Sequence, residues 1–102
     1  MTIEDIDALT ATLDGIHRTT SEGRQEWRYR GRLIARQLDD SHIVIRSDFA
    51  YRDTMLNEFP DTFSVPSRYR KHMMIVADLA GGDQAAIGDA IEMAWELQRR
   101  GG

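Results

Sequence analysis

Arginine supplies almost all of the positive charge in this chain: twelve arginines stand against a single lysine, Lys71. A guanidinium is planar, permanently charged and able to donate two parallel hydrogen bonds, which suits phosphate and carboxylate. Two segments concentrate these groups. Arg28, Arg30, Arg32 and Arg36 lie within residues 18–38, which carry a net +4. Arg68, Arg70 and Lys71 lie within residues 62–74, which carry +3. Segments 1–17, 39–61 and 75–102 carry −4, −4 and −3. The overall charge of −4 opposes non-specific attraction to nucleic acid. A phosphate-binding surface would therefore have to be local. Genome base composition is the competing explanation for the arginine bias.

The other reactive residue types point away from catalysis. His17, His42 and His72 are far apart, with no metal-ligand spacing. There is no cysteine, hence no disulfide, no thiolate nucleophile and no cysteine metal site. Glu4, Asp5 and Asp7 open the first helix, where the helix dipole favours carboxylates, and exposed acids without clustered partners hold divalent ions poorly. Gly-x-Ser-x-Gly, a phosphate-binding Gly-rich loop with Lys, and His-Glu-x-x-His do not occur. No serine or threonine has an evident base partner. The expectation is a protein that is not an enzyme and has no cofactor and no metal.

The elements that position the arginines follow from periodicity and punctuation. A chain of 102 residues is one domain. Residues 2–13 read as a helix capped by Thr2 with Asp5, with Ile3, Ile6, Leu9 and Leu13 on one face, ended by Asp14-Gly15. Residues 16–23 read as a connector, with Ser21-Glu22-Gly23 as its turn. Three strands follow: Gln25–Arg30, Arg32–Leu38 and His42–Ser47, with Arg30-Gly31 as a tight hairpin turn. Asp48 caps a helix of about ten residues that places Phe49, Arg52, Leu56 and Phe59 on one face and stops at Pro60. Thr62–Val65 is a short strand, Arg68–Lys71 a basic corner and His72–Leu79 a longer strand. Gly81-Gly82 turns the chain into a final helix, capped by Asp83 and running to about Arg100.

The resulting order, α-β-β-β-α-β-β-α, predicts an α+β domain. About five mostly antiparallel strands carry the N- and C-terminal helices on one face. Ile3, Ile6, Leu9, Ile43, Ile45, Leu56, Phe63, Ile75, Ile91 and Trp95 are the expected core. Gly88 in the last helix suggests a close approach of helix to sheet. Alternation places Trp27 and Tyr29 on one face of their strand, toward the core, and Arg28 and Arg30 on the other. Arg32 and Arg36 project from one side of the next strand. If the hairpin register aligns these sides, four guanidiniums share a face, and Arg68, Arg70 and Lys71 extend it.

Val44-Ile45-Arg46-Ser47-Asp48, then Arg52, Met55-Leu56, Pro60-Asp61-Thr62-Phe63, Tyr69, the apolar run 73–79 and Ala94-Trp95 resemble the MmcQ/YjbR family over roughly residues 2–98. The resemblance implies a frataxin-like (CyaY-like) α+β fold and DNA binding; its motifs are not a catalytic signature. One departure stands out: many members place an aromatic after a Lys-His pair, and here Met73 follows Lys71-His72. Two functions result. One is a DNA-binding module using Arg28, Arg30, Arg32, Arg36, Arg68, Arg70 and Lys71. The other is a small protein-interaction or regulatory domain that contacts a protein partner through its sheet face or edge strand. A monomer is expected. No apolar run approaches the ~20 residues of a membrane span. The acidic start, Met1-Thr2-Ile3-Glu4-Asp5, is unlike a signal peptide, which makes the expected location cytoplasmic.

Overall fold

Short polar side chains start each helix. In the computed structural model, which describes residues 1–101, α1 spans Ile3–Ala11, α2 spans Phe49–Glu58 and α3 spans Gln84–Arg100. Thr2 and Asp5 form a capping box on α1. Asp48 accepts from the Tyr51 amide at 2.8 Å at the start of α2, and Asp83 from the Ala86 amide at 2.9 Å at the start of α3. Pro60 lies just beyond the end of α2.

Six strands, not five, form the sheet. They are β1 (Ile16–Ser21), β2 (Arg24–Tyr29), β3 (Arg32–Gln37), β4 (His42–Arg46), β5 (Phe63–Ser64) and β6 (Met74–Asp78). Their spatial order is β1-β2-β3-β4-β6-β5, and every neighbouring pair is antiparallel. The additional strand is β1, in the stretch expected to be a connector. It is an edge strand whose residues beyond Ile16 are polar and exposed. It therefore lacks the apolar alternation by which a half-buried strand is recognised. The turn that ends it, Ser21-Glu22-Gly23, was nonetheless signalled, as was the next hairpin turn, Arg30-Gly31. Glu22-Gly23 and Arg30-Gly31 have positive φ at both central residues, the two-residue hairpin geometry that matches strand twist.

Directly opposed residues share a sheet face. Ile43 opposes Ala77, Ile45 opposes Ile75, and Phe63 also opposes Ala77. These side chains join Ile6, Trp27, Ala35, Ile87 and Ile91 in one buried cluster between sheet and helices. The N- and C-terminal helices lie on this same face, as the α+β arrangement requires.

Of the two tryptophans, both expected in the core, Trp27 is buried as expected and Trp95 is not. Trp27 is fully buried and donates its indole N–H to Asp7 Oδ1 at 3.2 Å. Trp95 sits at the rim, half-buried. Its N–H reaches the Asp14 carbonyl at 2.8 Å, and Arg99 lies 4.2 Å above its ring. Ile6, Ile43, Ile45, Phe63, Ile75 and Ile91 are buried as expected, while Ile3, Leu9 and Leu56 are half-buried. Phe49 is exposed, beneath the Arg52 guanidinium at 4.8 Å. Gly88 faces Leu9 of α1 rather than the sheet.

Candidate nucleic-acid interface

A bulge decides which arginines share a surface. Trp27 pairs with Ala35, but the next residue, Arg28, pairs with Leu33. Ile34 is the extra residue, and both Ile34 and Ala35 are buried. The slip reverses the alternation along β3. Arg36 opposes Glu26 on the sheet face away from the helices, whereas Arg32 opposes Tyr29 and points toward them. Its Nη1 donates to the Gln98 carbonyl in the last turn of α3 at 2.7 Å, while the Gln98 amide donates to the Leu33 carbonyl at 2.8 Å. A cation at a helix C-terminus satisfies an orphan carbonyl and matches the dipole. Arg32 is therefore structural. Arg32→Ala is expected to cost about 1–2 kcal/mol in a urea titration and to leave any nucleic-acid affinity unchanged.

Two further arginines of this group are also unavailable: Arg28 stays on the outer face but is paired, and Arg30 sits in the turn. Arg28 donates from Nε and Nη2 to Glu26 at 3.1 Å each, and from Nη1 to the Gly31 carbonyl at 2.9 Å. Its charge is largely neutralised. Arg30 occupies the hairpin turn and lies over the Tyr29 ring at 5.4 Å. Arg36 remains.

Arg36 meets the basic corner. Its Nη2 donates to the Tyr69 hydroxyl at 3.3 Å. Tyr69 ends a 3-10 turn, Ser67–Tyr69, and Arg68 stacks over its ring at 4.9 Å. Val44 opposes Arg36, and Val76 opposes Val44. Both valines face away from the helices yet are 0% and 3% exposed. The open side of the sheet is therefore covered here, and the bond to Arg36 brings the Tyr69 hydroxyl to that side. Beside it is a cleft of about 390 Å³, lined by Arg24, Arg36, Arg68 and Tyr69, with Glu22 and Glu26 in its wall. Arg70 and Lys71 follow Arg68 in the chain and are exposed. Arg24 was not among the expected site residues. Its signal was present, because Arg24, Glu26 and Arg28 alternate along β2 and so share a face.

One buried side chain from α2 holds the corner in place. Arg52 is 9% exposed and donates to the carbonyls of Tyr69 at 3.4 Å, His72 at 2.9 Å and Arg70 at 3.2 Å. A guanidinium fork can tie three carbonyls that an ammonium cannot reach together. The segment that carries Arg68, Arg70 and Lys71 is thus fastened to the helix, with its cationic side chains outward.

The cleft is electrostatically unbalanced. Among the described residues, Arg24, Arg36, Arg68, Arg70 and Lys71 have no carboxylate within salt-bridge distance. Of the two carboxylates in the cleft wall, Glu26 is already engaged by Arg28, which leaves Glu22 alone against Arg24, Arg36 and Arg68. The three histidines stay dispersed. His42 Nδ1 is 2.9 Å from Asp39, and the Ser41 amide and the His42 ring together hold the Asp39 carboxyl below its usual range. Among the described residues no group of three His, Cys, Asp or Glu side chains forms a metal set. No helix there is long and apolar enough to cross a membrane. Comparison with family models, curated proteins and solved structures gave no significant match.

Proposed function

We propose that the chain is a non-enzymatic nucleic-acid-binding module that grips the phosphate backbone of DNA with Arg24, Arg36, Arg68, Arg70 and Lys71. One observation carries this reading: Arg24, Arg36 and Arg68, from two distant segments, line one cleft without a salt-bridge partner among the described residues, and Arg70 and Lys71 follow Arg68 in the exposed corner. Uncompensated charge left in one place by the fold favours a polyanion. The resemblance to the MmcQ/YjbR family, with its CyaY-like fold and DNA-binding description, points the same way. The expected site loses Arg28, Arg30 and Arg32 and gains Arg24. Contacts of this kind carry no sequence information, so binding is independent of base sequence. Among the described residues no α-helix lies on this face, which suits backbone contact rather than groove readout.

The test is a fluorescence anisotropy titration of a random duplex with wild type and with Arg24→Ala/Arg36→Ala/Arg68→Ala. A control, Arg99→Ala/Arg100→Ala, changes charge at the end of α3. The triple variant is expected to bind about 10²–10³-fold more weakly at roughly 50 mM salt, and the control close to wild type. Equal weakening by the control would mean that net charge, not the cleft, sets affinity. A protein-interaction function would then lead.

A further inference from the structure

The helical layer, on the other side of the sheet, carries the opposite charge. α2 packs on β5 and β6, while α3 packs on β2, β3 and β4, so the two helices cover different strands of the sheet. Between them runs a groove of about 410 Å³. Its apolar lining is Tyr51 and Met55 from α2 and Met93 from α3. Met93 is 37% exposed, one of two large apolar side chains left in solvent. Asp89, Glu92 and Glu96 follow one stripe of α3 along the wall. Glu96 is held by Arg99 at 3.1 Å, whereas Asp89 and Glu92 have no cationic partner among the described residues.

We propose that this groove docks a cationic amphipathic helix of a partner protein. The stripe from Asp89 to Glu96 spans seven residues, about 10 Å of helix. That matches two turns of an incoming helix with apolar residues at i, i+3 or i+4, and i+7. Methionine suits such a surface because its flexible, polarisable side chain adapts to different shapes. The carboxylates select lysine or arginine flanks and reject an acidic helix by like-charge repulsion. The phenol at the groove reports the same field. Burial, then the charges of Asp89 and Glu58, hold the Tyr51 pKa above its usual value. Because the groove and the arginine cleft lie on opposite layers, DNA and a basic protein can be held together.

The probe is a synthetic amphipathic helix of about 14 residues, roughly four turns, with leucines on one face and lysines on its flanks. A second peptide carries glutamates in place of the lysines. Titrated into the full chain by calorimetry, the lysine peptide is expected to bind in the micromolar range. The glutamate peptide should bind at least about tenfold more weakly. Asp89→Lys/Glu92→Lys should remove the preference between the peptides, and Met93→Ser should weaken both. Absence of binding by the lysine peptide, or equal binding of both peptides to wild type, overturns the proposal. So does a concentration-dependent dimer in sedimentation that Met93→Ser abolishes, because the groove would then belong to a second copy of the chain. The arginine-cleft triple variant should bind the lysine peptide as wild type does, which keeps this result separate from the outcome with DNA.

Discussion

Affinity for random-sequence duplex DNA should fall between about 10²-fold and 10³-fold as salt rises from roughly 50 to 200 mM. Five uncompensated cations, each meeting one phosphate, give a log–log slope of about −4 to −5, because each contact releases condensed counterions. Removing Arg24, Arg36 and Arg68 leaves two contacts and a slope near −2, so the same change in salt would weaken the variant only about tenfold. This ratio of slopes separates phosphate contact from other interactions. A protein that met DNA through an apolar patch would show a shallow slope before and after the substitutions. Arg32→Ala should keep the wild-type slope, since its guanidinium is committed to the Gln98 carbonyl.

Removing Arg52 should be the costliest single polar substitution in the chain. Arg52→Ala removes three charge-assisted hydrogen bonds, to the carbonyls of Tyr69, Arg70 and His72. The Tyr69 and His72 carbonyls keep the His72 and Met74 amides as donors, so the loss is mainly that of the bonds to the cation and of the Arg70 carbonyl's partner, about 2–4 kcal/mol in all. For a domain of this size that is a fall in Tm on the order of 15 °C. Arg52→Lys restores little, because an ammonium is a point donor and cannot bridge the three positions. A denaturant titration checks both variants. A loss below about 0.5 kcal/mol for Arg52→Ala would mean that the basic corner is held by other contacts. DNA affinity should fall alongside stability, because Arg68, Arg70 and Lys71 depend on that corner for their placement.

Most of the frame was legible from local chemistry. Thr2, Asp48 and Asp83 cap the helices they were expected to cap, Pro60 lies just past the end of α2, and Arg30-Gly31 turns the hairpin. Each is a short-range effect carried by one or two residues. What escaped depended on pairing between strands. β1 is polar beyond its first residue, so its membership in the sheet rests on backbone pairing with β2, which leaves no apolar trace. The bulge at Ile34 lies within the apolar run Leu33-Ile34-Ala35, where neighbouring residues all tolerate the core side. A one-residue slip there sends Arg32 to the helices and leaves Arg36 outside. Strict alternation along β3 had kept them together.

The candidate site was half legible for the same reason. Charge counting located both basic segments, and the fold brings Arg36 and Arg68 to one cleft. It could not separate arginines that are spent on structure from those left free. Arg28 serves Glu26, Arg32 serves α3, and Arg52 serves the corner. Arg52 was visible as a charged residue on the apolar face of α2, a conflict that signals a buried hydrogen-bonded cation. Trp95 shows the converse limit. Helical spacing placed it in the buried stripe of α3, but its indole N–H needed a partner and found one at the surface, in the Asp14 carbonyl.

Amide chemical-shift mapping with a short random duplex at about 50 mM salt tests the central claim most directly. The cleft reading predicts that the largest shifts fall on residues 22–28, 36–38 and 66–72, converge on Arg24, Arg36 and Arg68, and vanish in the triple variant. Shifts concentrated on α3, or a spectrum that DNA leaves unchanged, would contradict it.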